Sequence, residues 1–423
     1  MTANNGPSLD DWLARLNALD PTRIELGLDR VQPVAAALGV LNPAARVITV
    51  AGTNGKGSTV ALAESILRAQ GLSVGCYTSP HILRFNERVR VNGLEAADAA
   101  IVAGLEAVEA ARADTPLTYF EFITLAALWL FRQQPLDVWL LEIGLGGRLD
   151  VVNVVDPDVS VITSIGLDHM DWLGPDRDAI AREKAGILRP GRPVVCGEPD
   201  PPSALDVRLT AHDGPVLRLD QGGARWSDTS PWTLWVGDRE WAGLPQPGLA
   251  GVSTRRNAAA AVAALCFAGC VPSLAALRSG LANARIQGRM QTIAASPETL
   301  VDTAHNAQAA GHLAQSLAAL PAADGPLQCV LGMLADKDPA AVVQAFMEHW
   351  PARQPVVWRF AATAGPRGQE ATVLKERAGV KGGCYPSVGA ALDAARDAAG
   401  PIGRVVCFGS FLTVESALRH VHE

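Results

Sequence analysis

Short apolar, β-branched runs alternate with helix-period stretches along nearly the whole chain. Strands are predicted over residues 46–51, 138–144, 159–165 and 193–197, then over 300–303, 328–333, 355–360 and 404–408. Helices are predicted between them over 59–70, 98–113, 120–133, 179–187, 257–268 and 308–320. This alternation predicts an α/β protein with parallel sheets, whose ligands gather beyond the carboxyl ends of the strands. One segment breaks the pattern. Trp226, Trp232, Trp235 and Trp241 are interleaved with polar residues, as in a hairpin or small meander packed as a local insert. A polar Ser-Pro-Glu link at 296–298 precedes a fresh α/β run, which divides the chain into domains at 1–294 and 295–423.

Composition narrows the class. With 423 residues, 48% of them hydrophobic and 19% charged, the chain can bury two or three ordinary cores. A formal charge of −7 argues against a nucleic-acid-coating protein. Residues 1–11 lack the pattern of a signal peptide, and the longest apolar run, 258–271, is too short to span a bilayer. No membrane role is expected. The seven cysteines are scattered singly, which suits a reducing cytoplasm and thiols that act as small hydrophobes.

The most telling stretch is 47–59, Val-Ile-Thr-Val-Ala-Gly-Thr-Asn-Gly-Lys-Gly-Ser-Thr, a strand run into a glycine turn and a helix pattern. Such a turn lets main-chain N–H groups converge on phosphate at a helix N-terminus, and Lys56 adds a full positive charge. Ser58 or Thr59 is in place to offer a hydroxyl to Mg²⁺. The spacing departs from the common P-loop, since Gly52 stands three positions before Gly55 and Gly57 separates Lys56 from Ser58.

Further polar groups follow other strand ends. Glu142 closes an apolar run, where a carboxylate is costly to bury without a cation. Mg²⁺ or an ion pair with Arg148 would meet that need. Asp168-His169 ends the next strand in the same manner, and Lys184 lies near the end of a helical pattern. In the second half, Asp302, His305 and Asn306, Asp336 to Asp338, and Ser410 stand at strand ends, which points to a shared site.

Taken in order, these segments resemble the folylpolyglutamate synthase family of the Mur-ligase superfamily. The motifs are Gly-Thr-Asn-Gly-Lys-Gly-Ser (52–58), Thr-Ser-Pro-His (78–81), Tyr-Phe-Glu-Phe (119–122), Glu-Ile-Gly-Leu-Gly-Gly-Arg (142–148), Asp-His (168–169), Arg-Glu-Lys-Ala-Gly-Ile (182–187), Gly-Arg (288–289) and Asp-Thr-Ala-His-Asn (302–306). The resemblance implies an N-terminal P-loop ATPase domain of Mur-ligase type and a smaller C-terminal Rossmann-like α/β domain. It also implies ATP-dependent amide formation. An acceptor carboxylate would take the γ-phosphoryl group to give an acyl phosphate, and the amine of L-glutamate would then displace phosphate. The acceptors would be dihydropteroate and the γ-carboxyl of reduced folates. A monofunctional folylpolyglutamate synthase, another Mur-type ligase and a nucleotide-hydrolysing switch are the competing readings.

The resemblance also carries residue roles. Asn54, Gly55, Lys56, Gly57 and Ser58 would hold the ATP phosphates, with Asn257, Arg289 and Asp302 also contacting the nucleotide. Ser79, Glu142 and His169 would hold magnesium, and a carbamylated Lys184 would support a second ion. Leu28, Asp29, Arg30, Thr118, Tyr119, Phe120, Glu121, Leu149, Asp150 and Val151 would line the pterin pocket. His305 and Ser410 would meet the incoming glutamate. Two departures stand out: Ala307 where the family usually has Pro, and Ser253-Thr254 where many relatives carry His-Gln. A cytoplasmic monomer is expected.

Overall fold

The computed structural model describes residues 6–18, 25–351 and 354–422, so residues 1–5 of the polar N-terminal stretch lie outside them. The chain divides into two compact units, residues 1–248 with 255–284, and residues 249–254 with 285–423.

The first unit is built on an eight-stranded sheet. In chain order its strands are β1 (Arg46–Ala51), β2 (Val74–Tyr77), β3 (Val89–Val91), β4 (Leu94–Glu95), β5 (Val138–Glu142), β6 (Val159–Ile162), β7 (Val194–Cys196) and β8 (Val216–Arg218). They lie in the order β4-β3-β2-β5-β1-β6-β7-β8. Neighbours from β2 through β8 run parallel, while β3 and β4 add an antiparallel edge. Every residue of β5 and β6, and Val47 to Ala51 of β1, is buried, as expected of parallel strands covered on both faces. Each Val, Leu or Ile so buried contributes roughly 1.5–3 kcal/mol.

The register matters for function. Val50 stands opposite Glu142, and Ala51 opposite Ile162. The carboxyl ends of β5, β1 and β6 therefore lie side by side, and the chains leaving them carry Glu142, the glycine turn and Asp168-His169. Helices Lys56–Ala69, Tyr119–Arg132 and Arg177–Lys184 flank this sheet. The alanine-rich run is a helix, Thr254–Phe267, whose residues 258–265 are fully buried and which is too short to cross a membrane.

The tryptophan-rich insert is a three-stranded antiparallel sheet of β9 (Ala224–Trp226), β10 (Trp232–Val236) and β11 (Arg239–Leu244). Its rings are occupied within the unit. Trp232 and Trp241 are buried and donate to the carbonyls of Pro245 and Pro272, and Arg256 and Arg225 lie over Trp226 and Trp235.

The second unit holds a six-stranded sheet of β12 (Gln291–Ala295), β13 (Glu298–Asp302), β14 (Leu327–Leu331), β15 (Val356–Ala361), β16 (Gly382–Tyr385) and β17 (Arg404–Phe408), in the order β12-β13-β17-β14-β15-β16. All pairs are parallel except β12 with β13. Because β12 belongs to this sheet, the unit begins at Arg285, ahead of the polar link at 296–298.

Candidate functional site

The glycine turn after β1 is fastened by side chains from far along the chain. Asn54 donates its N–H to Ser164 Oγ at 2.9 Å, and its carbonyl accepts from Thr163 Oγ1 at 2.7 Å and Ser164 Oγ at 3.0 Å. The N–H of Thr53 donates to the Ser164 carbonyl at 2.8 Å, and Thr53 Oγ1 both donates to and accepts from the backbone of Gly166. This close embrace requires glycine: a Cβ on Gly52 would overlap the Thr163 hydroxyl. Gly55, at φ 89°, is the N-cap of helix Lys56–Ala69, and a Cβ there would lie 2.8 Å from Asn257 Oδ1. Asn54 to Ser58 thus form the turn and first helical turn, and Asn257 packs directly on it.

Two lysines converge at this turn. Lys56 Nζ donates to the carbonyls of Gly52 at 2.9 Å and Thr53 at 3.3 Å, and Lys184 Nζ donates to the same Gly52 carbonyl at 3.0 Å. Burial, reinforced by the Lys56 ammonium, pulls the Lys184 amine down to about 7, against the opposing pull of Asp168 and Asp150. Asp150 is itself buried and pushed up to about 6, although the N–H groups of Leu145 and Val152 donate to it at 2.7 and 2.9 Å.

Beside the turn, the Ser79 N–H donates to Glu142 Oε2 at 3.3 Å, which brings two of the predicted metal ligands together. Arg148 is engaged elsewhere, with Glu183 at 2.9 Å. His169 is exposed and holds a left-handed backbone at φ 53°, with its N–H on Asp168 Oδ1 at 2.9 Å. A non-glycine residue in that conformation marks a locally imposed geometry. Among the described residues no three His, Cys, Asp or Glu side chains form a ready-made metal cluster. The oxygen donors Ser79 and Glu142 suit a hard cation that keeps several ligands from water or nucleotide.

The predicted pterin residues also assemble in part. Arg30 forks onto Glu121 at 2.7 and 3.1 Å, and Glu121 and Thr118 form a capping box at the start of helix Tyr119–Arg132. Leu28 accepts from the Gln32 N–H at 2.8 Å and so ends the turn that presents Arg30. The Phe120 ring packs on Gly144 and lies 6.3 Å from Tyr77. Tyr119 and Leu149 are partly buried, Val151 is buried and Asp29 is exposed.

In the second unit, Asp302 is buried and raised from the usual carboxylate range by burial, with Arg289 at 4.0 Å opposing the shift. It accepts the N–H groups of Met290 and Ala304 at 2.9 and 2.8 Å. His305 Nδ1 lies 2.8 Å from the Thr303 carbonyl, and its ring faces Phe411, over which Arg289 also sits. Ser410 is buried, its hydroxyl accepting from the Thr413 N–H at 3.1 Å, next to Thr413 Oγ1 at 2.7 Å. Ala307 is the first residue of helix Ala307–Ala318, capped by Asn306, and Ser253 Oγ lies 3.1 Å from His312 Nδ1.

Sequence reasoning missed Thr163 and Arg90. Thr163 sits in an apolar run that reads as strand to residue 165, whereas β6 stops at Ile162 and releases it into the turn. Arg90 belongs to the short strand β3, which no apolar run announces.

Comparison with known proteins follows the same division. Family models of the Mur ligase middle domain and of the Mur ligase glutamate ligase domain match residues 50–196 and 288–411. The dihydrofolate synthase/folylpolyglutamate synthase of Escherichia coli (strain K12) is 46% identical over 415 residues, 96% of this chain and 94% of that protein. The chain belongs to this family of Mur ligases. Among solved structures, E. coli FolC in complex with DHPP and ADP aligns over 100% of this chain and 99% of its own, with a TM-score of 0.92 at 44% identity. A bifunctional folylpolyglutamate synthase/dihydrofolate synthase with Mn, AMPPNP and L-glutamate bound aligns over the full length of both chains, with a TM-score of 0.90 at 42% identity. Both units of this Mur ligase are thus matched, not the phosphate-loop unit alone.

Proposed function

We propose that this protein is an ATP-dependent, ADP-forming ligase that joins L-glutamate to dihydropteroate and to the γ-carboxyl of reduced folates. The observation that carries the reading is the pair of lysines on the Gly52 carbonyl, in a glycine turn at the meeting of three strand ends. Phosphoryl transfer needs positioned positive charge more than covalent chemistry. Full-length similarity to proteins named for both reactions supports the two acceptors.

In this reading Asn54 to Ser58 bind the triphosphate, and Lys56 neutralises the γ-phosphoryl group as the acceptor carboxylate attacks phosphorus and ADP leaves. Asn257, Arg289 and Asp302 contact the nucleotide. The glutamate amine, which His305 and Ser410 help to seat, then attacks the acyl carbon; inorganic phosphate leaves and the amine gives up a proton as the amide forms. Arg30, Glu121, Phe120, Asp150 and their neighbours receive the pterin. Ser79, Glu142 and His169 would hold Mg²⁺, which supplies charge neutralisation to the phosphates. Carbamylation of Lys184 needs a neutral amine, and an amine drawn to about 7 offers one near neutral pH. The carbamate would reverse the local charge and support a second ion. The first unit would hold the ATP phosphates, and the second would add Arg289 and Asp302 to the nucleotide and serve glutamate ligation. A cytoplasmic monomer completes the reading, and light scattering tests the monomer.

The decisive experiment is ATP- and Mg²⁺-dependent incorporation of labelled L-glutamate, with dihydropteroate and tetrahydrofolate as separate acceptors. Product with both supports the two activities, and product with tetrahydrofolate alone reduces the protein to a folylpolyglutamate synthase. ATP turnover without product from either would discard the folate reading.

A further inference from the structure

The loop that carries Ser79 is pinned on both sides by arginines to which the mechanism above gives no role. Arg90, half-buried on β3, donates from Nε and Nη2 to Glu64 Oε2 at 3.0 and 2.9 Å. From Nη1 it donates to Thr78 Oγ1 at 3.0 Å and to the Glu87 carbonyl at 2.9 Å. Thr78 is the residue immediately before Ser79. On the far side, Arg88 Nε donates to His81 Nδ1 at 2.8 Å, and burial beside that guanidinium holds His81 neutral, down to about 4. The Glu87 carboxylate gathers the N–H groups of Ile82, Leu83 and Arg84 at 2.7–2.8 Å.

Glu64 sits on helix Lys56–Ala69, the helix that begins with the phosphate-loop lysine. Its Oε2 takes both donors from Arg90, while its Oε1 is buried. One guanidinium therefore links that helix to the loop that sets Ser79 against Glu142. Arginine suits the task, because its planar fork holds two acceptors in fixed directions where an ammonium would not.

We propose that Arg90, anchored by Glu64, is a positioning residue that fixes Ser79 against Glu142 and thereby sets the affinity of the site for a divalent cation. The proposal rests on the assignment of Ser79 and Glu142 as metal ligands. Groups behind the ligands commonly govern metal affinity by about 10–100-fold.

The test is Mn²⁺ binding to the full-length protein with AMPPNP, followed by electron paramagnetic resonance, beside thermal melting and steady-state kinetics. Arg90→Met should weaken Mn²⁺ binding about tenfold, raise the Mg²⁺ requirement to match, and leave the KM for glutamate unchanged. Arg90→Lys should recover part of the loss. Thr78→Val, which removes one acceptor and keeps the shape, should shift Mn²⁺ affinity severalfold in the same direction and decides the matter should Arg90→Met not fold. Folded Arg90→Met or Thr78→Val protein with unaltered Mn²⁺ affinity, while Ser79→Ala and Glu142→Ala lose it, overturns the positioning role. Unaltered binding in Ser79→Ala and Glu142→Ala as well overturns the ligand assignment beneath it.

Discussion

The two units present polar residues at their strand ends in different ways. In the first, the turn after β1 is held by Thr163, Ser164 and Lys184, all more than 100 residues away in sequence. In the second, the polar groups mostly serve their own turns: Asp302 accepts from Ala304, Asn306 caps its helix at Ala309, and Ser410 accepts from Thr413. Local capping stabilises a fold wherever it occurs. Holding the Lys56 and Lys184 side chains on one carbonyl sets like charges close together, which is electrostatically unfavourable. The contrast is one of assembly: the first unit gathers its turn from far along the chain, while the second closes most of its turns locally, with Arg289 and His305 packed on Phe411.

That contrast can be broken most sharply at Lys56. Lys56→Ala should lower ligation by about 10²–10³-fold or more with an unchanged melting temperature; near-normal turnover would remove the phosphate-loop assignment. Glu142→Ala should raise the Mg²⁺ needed for half-maximal activity by about tenfold or more, and an unshifted Mg²⁺ titration would remove the metal assignment. The Lys184 amine, lowered to about 7, is largely protonated at pH 6 and largely neutral at pH 8. A carbamate signal from ¹³C-bicarbonate should therefore grow across that range by nuclear magnetic resonance and be missing in Lys184→Arg. The same lowered value means that the unmodified ammonium weakens the fold below pH 7, and this penalty is relieved as pH rises from about 7 toward the ordinary lysine range. The smallest effect belongs to the second unit: Asn306→Ala should cost about 1 kcal/mol of stability through the lost cap, read by denaturant unfolding, with little change in kcat. A collapse of kcat in that variant would dissolve the contrast.

Sequence legibility followed burial. The central strands β1, β5, β6, β14, β15 and β17 announce themselves because parallel strands covered on both faces are continuous apolar runs. Strands β2, β3, β4, β8 and β16 do not, being short and containing Gly, Arg or Glu. The runs ending at 144 and 165 overshoot β5 and β6, because Ile143 and Ile165 stay buried in the core beyond the last residues of those strands. Helix Lys56–Ala69 starts three residues earlier than its apolar period suggests, since Gly55 in the left-handed region opens it. Motif residues were legible one by one, and the embrace of Asn54 by Thr163 was not, because hydroxyls within an apolar run carry no spacing signal.

The close approach of Asn257 to Gly55 ties two places 202 positions apart into one steric constraint. A side chain at 55 would meet both a disfavoured backbone and the amide at 257, so neither a change at 55 alone nor a bulkier residue at 257 is neutral. The two ends of that long interval set a limit on each other's bulk.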